Sequence, residues 1–137
     1  MHPVARRLLA ACLSLLPIGC GNLNLYSDEQ LEPLSAQAYQ EAIQEHGAVT
    51  SGAEARMVQR VADRITKASG EDFPWQASLL QSEQPNAFCL PNGRIAIFTG
   101  ILPITQNEDG LAVVMGHEVA HAVLRHGGKR MTRGMLT

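Results

Sequence analysis

Aromatic residues make up only 4% of this 137-residue chain, so its core has to rest on Leu, Ile, Val, Ala and Met. Cysteine is nearly absent: Cys12, Cys20 and Cys89 are the three present, too few for a disulfide framework. No apolar run approaches the ~20 residues that a membrane-spanning helix needs. The longest, Leu8 to Ile18, is only about half that. Neither sign of charge dominates: the formal charge is -2. Without Arg6 and Arg7 it becomes about -4, which argues against a general nucleic-acid binder, so no nucleic-acid partner is expected. No Asp or Glu follows Glu118.

What is present begins with an address. Arg6 and Arg7 precede the apolar run to Ile18, and the run ends in Gly19-Cys20. Its length suits a secretory leader. A small residue before cysteine resembles the bacterial lipoprotein processing site, which implies that residues 1–19 are a signal peptide and that Cys20 is lipidated. Pro17 stands where leucine is common, and Leu16 lies one place early. A plain cleaved signal and an uncleaved anchor are the other readings. Gly21 is not the aspartate that, by the same resemblance, would retain the protein at the inner membrane. The expected location is therefore the outer membrane, lipid-anchored and facing the periplasm, with a soluble periplasmic protein as the alternative. Cys89, between Phe88 and Leu90, reads as a small buried hydrophobe.

Residues 20–47 read as a tether and a helix from Asp28 to about His46, with Leu31, Leu34, Ala38, Ala42 and Ile43 near one stripe and Gly47 as a stop. A second helix is expected over Ser51 to Ala68. Ser51 with Glu54 has the capping-box pattern; Met57, Val58, Val61, Ile65 and Ala68 form the apolar face, and Gly70 ends it. Then the period changes. Trp75 to Leu80 reads as a strand, and Asn86 to Gly100 as a hairpin turning at Asn92-Gly93, where both residues tolerate positive φ. Pro91 puts the hairpin's first arm at an edge. Asn107 can cap a helix from Glu108 to about His126, ending at Gly127-Gly128. The basic run Arg125, Lys129, Arg130 and Arg133 reads as a solvated helix end, with a grip on an acidic substrate or anionic lipid as the minor alternative.

That last helix carries "MGHEVAHAVLRHG", Met115 to Gly127. At 100° per residue, His121 lies 40° round from His117 and one turn along, so both imidazoles can reach one ion. Glu118 sits 100° from His117, on the flank, where it can take a proton from water held by a metal. This is the HExxH division of labour: His117 and His121 bind one Zn²⁺ per chain, and Glu118 is the general base and later the proton donor. Leu111, Val113, Val114, Met115, Val119, Ala120, Ala122 and Val123 surround the motif, so the helix reads as buried and central, a setting in which unpartnered histidines would be costly. Gly116 inside it suggests another backbone passing close by. His126 lies 140° from His121 and points away from the pair.

Together "PNAFCLPNGRIAIFTGIL" and "NEDGLAVVMGHEVAHAVLRHG" are similar to the HtpX and Oma-like zinc metallopeptidases, relatives of the CAAX prenyl endopeptidase. The match covers about Pro85 to the end and, weakly, the helix at 51–69. The resemblance implies an α+β, gluzincin-like zincin fold, mainly helical, with a small β-sheet or hairpin beside the HExxH helix. It implies a zinc-dependent metalloendopeptidase acting on polypeptides, plausibly misfolded proteins of the cell envelope. The strand from Arg94 to Thr99 would border the cleft, where an extended substrate could add as a further strand. It also implies a third ligand, a glutamate on a later helix, and this sequence shows none; Glu41 and His46 have no motif behind them. Residues 48–137 are therefore expected to be the N-terminal part of an incomplete catalytic domain, weak or inactive alone. The alternative is a non-catalytic, chaperone-like or adaptor lipoprotein of the envelope that keeps the peptidase fold.

Overall fold

The computed structural model of the chain describes the backbone of residues 28–135 and the side chains of residues 29–124. The leader, Cys20 and the tether lie outside the described residues, as do the side chains of His126 and the basic run from Arg125 to Arg133. The elements are α1 (Asp28–His46), α2 (Ala53–Ser69), β1 (Gln76–Leu80), β2 (Ala87–Cys89), β3 (Arg94–Phe98), a 3-10 turn (Thr99–Ile101), α3 (Leu102–Thr105) and α4 (Glu108–Met135). This is the expected α+β class. Among the described residues no helix is long and apolar enough to cross a membrane.

The sheet has the order β1-β3-β2, so the hairpin folds its second arm into the middle. β3 runs parallel to β1, with Gln76 opposite Arg94 and Leu80 opposite Phe98, and antiparallel to β2. A strand covered on both faces needs a continuous apolar run rather than alternation. β3 meets that need: Ile95, Ala96, Ile97 and Phe98 are all buried. Ile95 and Ile97 join Leu79 under α2 and α4. Ala96 and Phe98 join Leu80 under α1. Pro91 signals an edge, and β2 is an edge strand.

The turn differs from the expected one. Gly93 has φ +88, but Gln106 is the one non-glycine with positive φ among the described residues, so Asn92 does not adopt it. Gly93 N donates to Leu90 O at 3.0 Å and Leu90 N to Arg94 O at 2.8 Å, giving a three-residue loop over 91–93. Proline suits the second place of such a turn, and only Gly93 has to take the left-handed conformation.

α1 packs through a different stripe from the one read in the sequence. Leu34 is 53% exposed and Ala38 is exposed, whereas Ser35 and Tyr39 are buried. The reason lies in Tyr39: its ring fills the space over Leu80 and Phe98, and its hydroxyl donates to Ser78 Oγ at 2.6 Å. An aromatic with a satisfied polar tip can be buried where aliphatic counting sees no candidate. Burial raises the Tyr39 phenol above its ordinary pKa, against the opposing hydrogen bond to Ser78. Glu32, at the start of α1, ties this helix to the hairpin by accepting from Arg94 at 3.0 Å and Asn92 at 2.7 Å.

α2 starts one residue later than Ser51 allows. Gly52 is the N-cap, at φ 98, and no side chain caps the helix, so Ser51 and Glu54 form no capping box. The chain has just left an antiparallel bridge between Ala48 and Leu80, and only glycine takes the sharp conformation that redirects it. Gly70, at φ 69, ends α2 as expected. The buried face is Ala55, Val58, Val61 and Ala62, with Met57 and Ile65 partly covered and Ala68 exposed.

Candidate metal centre

α4 begins where predicted: Asn107 Oδ1 accepts from Gly110 N at 3.0 Å. Its first turn is clamped to α2, because Glu108 accepts from Arg60 Nε at 3.0 Å and lies 3.8 Å from Arg64. The Arg60 hydrogen bond holds the Glu108 carboxyl below its usual range. This clamp has a signal in the sequence, arginines four residues apart on α2 and an acid at the next helix start, but helical periodicity alone does not pair them.

α4 does not stop at Gly127-Gly128 but continues to Met135. Glycine weakens a helix by about 1 kcal/mol per residue without forbidding it; termination also needs a left-handed residue and its capping bonds. Nor is α4 buried all round. Leu111, Met115 and Val119 are buried against α2 and the sheet, and Ala122 is buried too. Val113 is 74% and Leu124 69% exposed, and Ala120 is exposed too. The apolar residues outnumber what one packed face can cover. The Gly116 reading also changes: a methyl there would meet only Ile65 Cδ1, at 4.0 Å, so a side chain and not a backbone passes nearby.

The motif sits on the open face. His117 follows buried Met115 by two residues, and His121 follows buried Val119 by two. Two residues are about 200° of helix, so each histidine points away from the core. Both are exposed, and Glu118, on the flank between, is partly buried. The expected burial penalty on the pair is therefore absent, and convergence carries the reading instead. Nε2 of His121 lies 3.0 Å from Nε2 of His117, with the rings near perpendicular at 88°. Two nitrogens each about 2.0–2.1 Å from a tetrahedral zinc stand about 3.3 Å apart. The donor pair fits a shared ion. Among the described residues no third His, Cys, Asp or Glu joins the two. Glu41 accepts from Gln37 on α1, and His46 packs at a tilt against Phe98, its ring centre 4.8 Å away.

The suspected substrate strand needs correcting. β3 is paired on both sides, so a peptide cannot join it as a further strand. The strand beside α4 with an outer edge is its neighbour β2, whose Ala87 and Cys89 pack into the same core cluster as Met115 and Val119. Cys89 is half-buried there rather than fully enclosed.

A family model for peptidase family M48 matches residues 52–137. The mitochondrial metalloendopeptidase OMA1 of Schizosaccharomyces pombe is 36% identical over 126 residues, 87% of this chain and 37% of that protein. The mitochondrial metalloendopeptidase OMA1 of Saccharomyces cerevisiae is 49% identical over 65 residues, 46% of this chain and 19% of that protein. The beta-barrel assembly-enhancing protease of Escherichia coli is 28% identical over 67 residues, 49% of this chain and 14% of that protein. The chain thus spans well under half the length of each of these relatives.

Proposed function

The chain belongs to peptidase family M48, and on that footing we propose that it carries the zinc-binding helix of a metalloendopeptidase. His117 and His121, whose Nε2 atoms converge, would hold the ion. Bound Zn²⁺ would lower the pKa of a coordinated water to about 7 and polarise the scissile carbonyl. Glu118, one residue from His117 and on the flank of the same face, takes the proton from the attacking water and returns it to the leaving amine. The observation that carries this reading is the 3.0 Å approach of the two Nε2 atoms. Catalytic zinc generally has three protein ligands, so two histidines alone bind weakly and cleave little. The same gap supports the reading of residues 48–137 as the N-terminal part of the catalytic domain.

The substrates on this reading are polypeptides, entering extended along the outer edge of β2. Misfolded envelope proteins are the proposed class, supported by the leader-like pattern of Arg6, Arg7 and the apolar run to Ile18 and by the similarity to the beta-barrel assembly-enhancing protease of E. coli. Gly19-Cys20 supports lipidation at Cys20 and attachment to the outer membrane on the periplasmic side. Labelled palmitate entering the wild type but not Cys20→Ala supports the anchor; equal labelling refutes it.

The lack of a third ligand among the described residues favours one second reading, a non-catalytic envelope module that binds polypeptides without cutting them. Casein cleavage that chelator stops and zinc restores separates the two. If no form of the protein cleaves in the presence of zinc, the peptidase reading fails.

A further inference from the structure

A groove of about 660 Å³ runs between α2 and the outer edge of β1, and none of His117, Glu118 and His121 lines it. Gln76 N donates to Gly93 O at 3.1 Å, so even-numbered residues of β1 face β3. Ala77 and Leu79 turn outward by the two-residue alternation of a strand. The C-terminal half of this edge is already occupied. Val49 N donates to Leu79 O at 2.8 Å and Gln81 N to Gly47 O at 2.9 Å, so residues 47–49 lie antiparallel to β1. The chain then leaves the edge at Thr50 to enter α2. Where it leaves, Ala77 O accepts from the side-chain amide of Gln59 at 2.8 Å. That amide stands where the N–H of a neighbouring strand would be.

We propose that this edge receives an extended polypeptide segment. It lies antiparallel to β1, continues the track of residues 47–49 and displaces the Gln59 amide from Ala77 O. The outward-facing N–H of Ala77, beyond the stretch that residues 47–49 cover, recognises its backbone. Charge selects its side chains. Arg60 is engaged by Glu108, whereas Arg56, also lining the groove, forms no ion pair among the described residues. An acidic side chain on the segment meets Arg56. Asp63 lies two turns further along α2 and lines the same groove, which confines the favoured negative charge to the Arg56 end. This is an exosite at the opposite edge of the sheet from β2, so it is independent of the metal.

The test is an amide NMR titration of the full chain with two soluble nine-residue peptides of Thr, Ser and Val. One peptide carries a single central Glu and the other a Lys in its place. The expected result is a shift at the Ala77 amide, with the Glu peptide binding at least about tenfold more tightly. Arg56→Glu, an exposed helix substitution, should reverse that order. Ala77→Pro should abolish binding while leaving the β1–β3 ladder intact, because the Ala77 N–H does not face β3. Equal affinity for both peptides, shifts confined to Ala87–Cys89, or an unchanged order in Arg56→Glu would each overturn the proposal.

Discussion

Nε2 of His117 lies 3.0 Å from Nε2 of His121, across one turn of a helix whose opposite side is sealed by Met115 and Val119. The packed face fixes the rotation of α4, and that rotation aims both rings at one point in solvent. The α2 contacts thus bear on the centre, although none of those residues touches it.

Glu118 is the residue assigned to proton transfer, so Glu118→Gln should separate chemistry from binding. In a form of the protein that cleaves casein, turnover is expected to fall by about 10²–10⁴-fold. Zinc affinity, read by competition with a chromophoric chelator, should stay within about threefold, because Glu118 is not assigned as a ligand. Retained turnover would remove Glu118 from its role.

Two glycines of α4 should respond in opposite directions. At Gly116 a methyl has room, with Ile65 Cδ1 at 4.0 Å as its nearest contact, so Gly116→Ala should stabilise the fold by up to about 1 kcal/mol. At Gly110 a methyl would fall 2.0 Å from Thr105 O, a backbone atom held in the corner between α3 and α4. Gly110→Ala should cost about 1–3 kcal/mol or more. Urea unfolding midpoints of the two variants check both signs.

The clamp between α2 and α4 predicts a pH dependence. Arg60 lowers the folded-state pKa of Glu108 below its ordinary 4.5. The resulting stability is fully present above that ordinary value and is lost as pH falls through the lower folded value. Glu108→Gln should therefore be less stable than wild type at pH 6, with the difference shrinking below about pH 4.5 and in high salt. Thermal melts at several pH values read the effect. A difference that grows on acidification would contradict the assignment.

Tyr39→Phe removes the hydroxyl that donates to Ser78 at 2.6 Å while keeping the ring over Phe98. A cost of about 1 kcal/mol is expected. Tyr39→Ala, which also empties the space under α1, should cost about 3–5 kcal/mol. Near-equal denaturation midpoints for the two variants would mean that the ring does not hold α1 to the sheet.

Much of this was legible because local rules and tertiary needs agreed. The helical periods, the Asn107 cap, the Gly70 stop and the Pro91 edge signal each rest on a few adjacent residues. The misreadings came where distant parts of the chain decide. Aliphatic counting placed the α1 stripe on Leu34, but Tyr39 wins it through a partner 39 residues away. The parallel pairing of β1 with β3 has no local signature, so nothing near Arg94 to Phe98 marks that strand as the middle one. The HExxH spacing gave the convergence of His117 and His121 correctly. It could not give their exposure, because apolar residues all round α4 do not say which of them the rest of the fold covers.

The central claim is that His117 and His121 grip one ion together. Its most direct test is a zinc titration of the chain followed through the imidazole nitrogen resonances in long-range ¹⁵N NMR. Both Nε2 signals should move in step toward a single endpoint at one zinc per chain, and His117→Ala or His121→Ala should each abolish the shift of the remaining ring. Zinc that moves only one of the two rings, or that binds equally well to the single-alanine variants, would contradict the account.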